Sequence, residues 1–539
     1  MTTTHESVHL DLAKPKQRPE VVTWITGFFV AFAWTYFFGL HLGWNSADFL
    51  RGLLQGDDMA HGNVLLNHWY SGSDSYWLID SILFMLGVLV VGVKVALARI
   101  VAASVWTGVI VLSCIVARID SKRCPTAAAT AVIVLTLGLP SALLARFLSA
   151  SADHMTTVLV CLLAFLGLRN GRFGWGWLVA SVLLAAGLLS DPLIVAYALV
   201  PCFVVGVLDG VRSREWAAGF ATSSAPIAAT ALALTTRKVA EHFGTYQIRN
   251  GTPLVPPAAR LENLHTLIPD ALTLLGFGSS FSDNRIPWEL GVFRIFGVVI
   301  LAAGLVLGFG CLSLGVVGGE ARIAIKGVAT RSRASYRLSD LLVLGVFGDA
   351  VTYVVFRDDA TGLRYLTAGI VFSSILGAML CGQFVTLVKT PTARNVCTAV
   401  IVVVLGVNVA CAALFLSRRA PISPFPRLST FLVSHDLDRG VGDYWTSAPV
   451  TLYSEEKVKV RQVLPTGQGG LRPYLWIAKS TWYNGKFQFL VYDVHQYQGQ
   501  LIRSASGFPF ARVSHIYREG PFRIVVWRQP QLMENLVGR

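Results

Sequence analysis

Charge is what this sequence has least of. Of its 539 residues only 14% are Asp, Glu, Lys or Arg, against roughly 25% in a soluble globular chain. With 54% hydrophobic residues and a mean hydropathy of +0.57, that shortage excludes a soluble protein and leaves a polytopic membrane protein. Acids are scarcer than bases, for a net charge of +14. The excess does not point to nucleic acid. The basic residues fall in short loops between apolar runs, where the positive-inside rule puts them, and no soluble segment interleaves them with aromatics. Of the eight cysteines, seven lie inside apolar runs and Cys124 lies at the edge of one, with no C-x-x-C pair. A disulfide framework and a zinc site are thereby excluded, and the cysteines read as small packing residues. A cleavable leader is missing too: the run at 23–41 is too long, no small-residue cleavage site follows it, and it reads as a retained span. No internal repeat or low-complexity stretch is evident.

What is present is a succession of apolar runs. Lys14, Lys16 and Arg18 precede the first, which predicts a cytoplasmic N-terminal segment over 1–20. The run at 78–97 carries Asp80 and Lys94. If it crossed the membrane, Arg118, Lys122 and Arg123 would lie outside, so we read it as interfacial or re-entrant. Eleven spans then follow: 24–40, 100–117, 125–145, 155–168, 174–190, 193–208, 216–236, 292–316, 338–356, 366–388 and 395–416. The basic loops, including 322–337, fall inside. The outer segments are 41–80, the long loop 237–290 and the tail. The expected organisation is a mainly α membrane bundle over 21–416 and a small extracytoplasmic β-rich or α+β domain over 417–539. In the tail, VTLYSEEKVKVRQVL, KFQFLVYDV and FRIVVW alternate in strand fashion, and Asn484-Gly485 marks a turn. Trp445, Tyr474, Trp476, Trp482 and Tyr483 there could line a binding surface or fill a core.

The stretch 41–80 breaks the apolar pattern. It packs Asp48, Asp57, Asp58, Asp74 and Asp80, His61 and His68, and several aromatics beside the first span. SADFLRGLLQGDD suits a short interfacial helix with Leu50, Leu53 and Leu54 on one face. Asp48 near its start could take a proton from an acceptor group, or could simply complement the helix dipole. Asp153 precedes another span at the same surface. Together the two acids suit a base with an orienting partner or a divalent-metal pair, and the ligand spacing carries no specific metal signature. Asp191-Pro192 reads first as a turn. Asp349 lies mid-span and should face a partner in the bundle interior. In FRDDATGLRYL, Arg357 and Arg364 are placed to hold a phosphate, or to anchor the interface with Tyr365. His61 and Tyr365 complete the candidate substrate contacts. Loop 237–290 is long enough to cover a site.

This pattern resembles the GT-C class of polytopic glycosyltransferases, which includes protein mannosyltransferases and aminoarabinose transferases. The likeness runs over most of 20–416: one span and an acid-bearing outer loop, then SALLARFLSASADHMTTVLVCLLAFLGLR with an acid before a span. GWLVASVLLAAGLLSDPLIVAYALVP, a long outer loop and RYL follow. The resemblance implies a polyprenyl-phosphate-linked sugar donor in the bilayer and an extracytoplasmic acceptor (glycan, lipid or protein). It implies Asp48 as base, Asp153 as the second-loop acid and Arg364 near the lipid phosphate. Where relatives commonly carry Lys-Pro, this chain has Asp191-Pro192. Single displacement with inversion would follow, with no obligatory metal. A transporter or flippase for a lipid-linked saccharide remains the alternative.

Overall fold

In a computed structural model, residues 18–43, 47–119, 126–149, 154–213, 216–245, 247–248, 254–277, 288–317, 333–358, 360–388, 390–466, 470–504 and 513–537 are described. Helix α1 (Arg18–His41) leads to the short α2 (Ala47–Ala60) and strand β1 (Trp69–Ser71). A π-helical turn (Trp77–Ser81) opens α3 (Ile82–Val91), and α4 (Val95–Arg118) follows directly. Next come α5 (Thr126–Ile133), α6 (Ala142–Leu148), α7 (Thr156–Leu168) and α8 (Trp175–Ser190). A second π-helical turn (Val195–Leu199) opens α9 (Val200–Ser213), followed by α10 (Trp216–His242), β2 (Gln247–Ile248) and α11 (Pro257–Leu274). The later membrane helices are α12 (Trp288–Val317), α13 (Arg333–Phe356), α14 (Thr367–Leu387) and α15 (Pro391–Leu416), with a 3-10 segment (Ala360–Leu366) before α14.

Among the described residues seven helices are long and apolar enough to cross a membrane, and one bent pair makes an eighth. Four shorter apolar helices lie among them. Every expected span meets a helix. The span windows of α4 and α14 are mostly buried, 67% and 78%, whereas those of α1 and α15 are 11% and 22% buried. The first two therefore form the bundle's middle. The outer two turn residues such as Phe29, Val30, Val402 and Val403 outward, as lipid-facing helices do. Where α9 meets α10, a Cβ on Gly206 would lie 2.7 Å from the Gly219 carbonyl oxygen. Only glycine permits that approach.

Two features refine the expected span map. The run 125–145 is not one straight helix: Ala127–Gly138 and Ala142–Leu148 meet at 91°. Pro140 has no N–H to continue the ladder and breaks it. The carbonyls freed there are taken by indoles, Trp106 Nε1 to Leu137 O at 2.9 Å and Trp34 Nε1 to Gly138 O at 2.7 Å. Second, the run 78–97 divides at Gly92, whose φ is +71°. The helical part, Trp77–Val91, is about 22 Å long at 1.5 Å per residue, short of a roughly 30 Å hydrocarbon core. It packs under α2, where Phe84 fills the space left by Gly52 and Gly56.

After Leu416 the chain builds α16 (Phe425–Ser434), β3 (Arg439–Gly442), α17 (Tyr444–Tyr453), β4 (Lys459–Pro465), β5 (Leu471–Pro473) and β6 (Ala478–Lys479). Strand β7 (Lys486–Asp493), α18 (Tyr497–Ser504), β8 (Val513–Glu519), β9 (Phe522–Leu532) and α19 (Met533–Leu536) complete it. Six strands form one mixed sheet in the order β5-β4-β3-β7-β9-β8, with β3 parallel to both neighbours. The α+β expectation holds, with one local correction. The start of VTLYSEEKVKVRQVL is the end of α17, and Glu455 and Glu456 turn the chain at φ +53° and +61° before β4. Asp443 caps α17, accepting from Thr446 N at 3.0 Å.

Candidate functional site

The outer loop is stitched to both halves of the molecule. Toward the sheet, β1 pairs with β6 (Trp69 opposite Lys479) and runs parallel to β2. Asp58 accepts from Lys479 Nζ at 2.8 Å, Trp69 Nε1 at 2.8 Å and Asn63 Nδ2 at 2.5 Å. Burial opposes its ionisation, but these donors outweigh burial and hold its carboxyl below the usual range. Arg51 is 1% exposed. It donates to Tyr444 O at 2.8 Å and stacks over the Tyr444 ring at 4.0 Å. Burial pulls its pKa down to about 10. Trp482 meets Trp69 edge-on at 5.0 Å, and Trp476 lies flat against Gly72. The tail aromatics thus line the junction with the outer loop.

Toward the membrane helices, residues 75–78 are tied to the end of α8. Ser75 Oγ donates to Leu189 O at 2.7 Å, Tyr76 N to Ser190 O at 3.0 Å, and Leu78 N to Ser190 Oγ at 2.9 Å. Asp80 accepts from Thr156 Oγ1 at 2.6 Å. This stitching gathers a polar group at the head of the bundle. Asp191, fully buried, accepts from His154 Nδ1 at 2.8 Å, Thr157 Oγ1 at 2.5 Å and Leu193 N at 3.0 Å. Burial works against its charge, and the His154 charge and these hydrogen bonds overcome it, so the carboxyl sits below its ordinary range. Burial likewise disfavours charged His154, yet the Asp191 carboxylate raises its pKa. Asp74 is pushed up, by burial first and by Asp191 next, against the pull of His154 and Arg364. Burial and the nearby Asp74, Asp48 and Asp191 raise the Tyr76 phenol well above its usual value. The Tyr365 ring lies 5.7 Å from His154, and the Arg364 guanidinium lies 5.2 Å from the Tyr365 centroid.

Of the candidates read from sequence, Arg364 and Tyr365 lie together here, and Asp48 is linked to them only electrostatically, through Tyr76. Asp48 is half-buried in the first turn of α2. It and Arg364 act electrostatically on the same Tyr76 phenol, and Asp48 also acts on Arg51 and on Tyr474. Arg357 is committed to α11: its guanidinium reaches Asp270 at 3.0 Å, Thr266 at 2.8 Å and Asn263 at 3.1 Å. His61 stands exposed at the far end of α2, 3.2 Å from the Asp57 carboxylate. Asp153 lies outside the described residues. Asp349 has the interior partners expected of a mid-span acid, the Tyr197 hydroxyl and the Gly369 N–H. Asp191 and His154, which the sequence offers only as a turn residue and a neighbour of Asp153, are hydrogen-bonded to each other within this group. The sequence signal was an acid directly after an apolar helix, where Asp-Pro also spells a plain turn. Among the described residues no group of three or more His, Cys, Asp or Glu is placed to hold a metal ion.

No family model and no curated protein matches the sequence. Solved structures do match in fold. ArnT from Cupriavidus metallidurans superposes at TM-score 0.53 in the apo state and 0.52 bound to undecaprenyl phosphate, at 12% identity. Each match covers 94% of this chain and 98% of ArnT. The Archaeoglobus fulgidus oligosaccharyltransferase overlays less closely, at 0.46 and 0.47 with 10% identity, over 94% of this chain and 74% and 76% of that one. The fold assignment rests on ArnT: this chain is a multi-pass membrane protein with the fold of the GT-C glycosyltransferases.

Proposed function

We propose that the protein is a membrane glycosyltransferase that moves a sugar from a polyprenyl-phosphate donor to an extracytoplasmic acceptor. The observation that carries this reading is the buried His154–Asp191 pair packed against Tyr76 and Tyr365, with Arg364 stacked on Tyr365 and Asp48 acting electrostatically on the Tyr76 phenol, on a fold shared with ArnT. A carboxylate and a guanidinium at one site are what transfer from a lipid phosphate needs.

The donor's lipid stays in the bilayer while Arg364 holds its phosphate. Asp48 takes the proton of the acceptor's nucleophile as that atom bonds the anomeric carbon. The bond from that carbon to the phosphate oxygen breaks, its electron pair leaves with the phosphate, and the centre inverts. Tyr365 supports Arg364 by stacking. Residues 21–416 carry the reaction, and 417–539 form an extracytoplasmic domain that closes the outer loop from above. The N-terminus is cytoplasmic. Arg357 and His61 act less directly, Arg357 by fixing α11 to the end of α13 and His61 at the loop's rim. Asp153, next to His154 in sequence, is assigned to the same site.

Replacing Asp48 by Asn tests the assignment. The variant should insert and bind donor normally but lose about 10²–10⁴-fold in turnover, the usual contribution of a general base. Near-normal transfer by Asp48→Asn would move the base elsewhere.

A further inference from the structure

Asp191 has no proton to give when ionised, so His154 Nδ1 must be the donor in their 2.8 Å hydrogen bond. Thr157 and the Leu193 N–H fix the carboxylate from its other sides. The imidazole is therefore held in one orientation, with Nδ1 spent and Nε2 left over. Among the described residues no hydrogen bond to Nε2 is formed. The ring lies between Tyr76, at 6.5 Å, and Tyr365, at 5.7 Å, beside the residue whose guanidinium stacks on Tyr365. Two non-glycine residues here adopt left-handed backbone, His154 at φ +73° and Tyr76 at φ +54°. Strain of that kind is kept where the surrounding structure needs the side chain in one place. The charged and titratable groups facing His154 are Asp191 from the end of α8, Asp74 and Tyr76 from the outer loop, Arg364 and Tyr365 from the 3-10 segment, and Asp349 from α13.

We propose that His154 and Arg364 together seat the phosphate of the lipid substrate, with His154 Nε2 as the second donor and Asp191 as the positioning residue that orients it. The proposal rests on the transferase reading above and adds a second phosphate ligand to it. A phosphate oxygen at Nε2 makes the ring donate from both nitrogens, and that species is an imidazolium balanced by Asp191. In the transfer step His154 keeps its proton. It hydrogen-bonds the phosphate oxygen as the bond to the anomeric carbon breaks and charge gathers on the leaving group. Asp48 separately takes the acceptor's proton.

The test reads binding in the full-length protein in detergent, without turnover. Undecaprenyl phosphate and undecaprenol, which lacks the phosphate, serve as paired probes, with inorganic phosphate as competitor. His154→Gln should weaken undecaprenyl phosphate binding about tenfold to a hundredfold and leave undecaprenol binding unchanged, the size expected for one charge-assisted hydrogen bond. Inorganic phosphate should displace undecaprenyl phosphate from the wild type more readily than undecaprenol. Asp191→Asn should lower the phosphate-over-alcohol preference, and Asp191→Glu should restore part of it, which a purely structural role would not do. Unchanged preference in both His154→Gln and Asp191→Asn overturns the proposal. If His154→Gln does not fold, the Asn and Glu pair at 191 decides alone. Because no sugar transfer is measured, the phosphate seat can fail while the transferase reading stands, and the reverse.

Discussion

At the scale of single residues, burial separates acids that look alike in sequence. Asp57 and Asp58 are neighbours in the last turn of α2, and sequence alone gives them similar surface roles. In the structure Asp58 carries the junction between the outer loop and the sheet, through Lys479, Trp69 and Asn63. Asp57 contacts His61, which is exposed. Asp58→Ala leaves a half-buried ammonium and an indole N–H without their acceptor, and should cost about 1–3 kcal/mol in unfolding free energy. Asp57→Ala should cost less than about 1 kcal/mol, because its His61 partner is exposed and burial already disfavours its carboxylate. Denaturant unfolding of both variants in detergent compares them. Arg364→Ala, in turn, should raise the apparent KM for the lipid donor by about tenfold or more, with little change in melting temperature. An unchanged KM would leave Arg364 an interface anchor. These distinctions were only partly legible in the sequence. Asp48, Arg364 and Tyr365 stood out because polar residues beside apolar runs are conspicuous. Asp191 did not, since the contact that gives it a role comes from His154, 37 positions away.

At the scale of elements, the sequence showed where the helices lie far better than how they break. Apolar runs report length and lipid exposure, so each expected span meets a helix. The bend at Pro140 depends on whether neighbouring donors can take the freed carbonyls, and Trp34 and Trp106 supply them from distant helices. The tail's strands were legible by their alternation. Its α17 was not, because it lies within an apparently alternating stretch and is set by the Asp443 cap. That cap yields a pH prediction. Burial raises the Asp443 carboxyl to about 6, against hydrogen bonds from Thr446 and the Asp493 N–H. Its folded pKa lies above the unfolded value, so its contribution to stability is full below about pH 4 and is lost as pH rises through about 6. Relative to Asp443→Asn, the wild type should lose on the order of 3 kcal/mol across that window. Tryptophan fluorescence during unfolding at pH 4 and pH 7 checks this. A difference independent of pH would show that folding leaves the Asp443 pKa unshifted.

At the scale of the whole molecule, a helical bundle capped by a mixed sheet leaves the site at their junction. The outer loop is the shared part, held by α8 on one side and by β6 and α17 on the other. The charge partition predicts that 317–337 is cytoplasmic and the sheet is outside. On a cysteine-free background, Gly470→Cys should react with a membrane-impermeant thiol reagent in intact cells, and Ile325→Cys only after permeabilisation. The reverse pattern, position 325 reacting in intact cells and position 470 only after permeabilisation, would make 78–97 a true span, and labelling of both from one side would contradict the map between them.

The most direct test of the central claim is a product measurement. Purified full-length protein is supplied with a panel of polyprenyl-phosphate-linked sugars and an extract of cell-envelope acceptors, and the free polyprenyl phosphate released is quantified. The account predicts release that requires both a matching donor and an acceptor, and that falls about 10²–10⁴-fold with Asp48→Asn. If no donor releases polyprenyl phosphate, while vesicles containing the protein move the intact lipid-linked sugar between leaflets, the protein is a flippase and the account is contradicted.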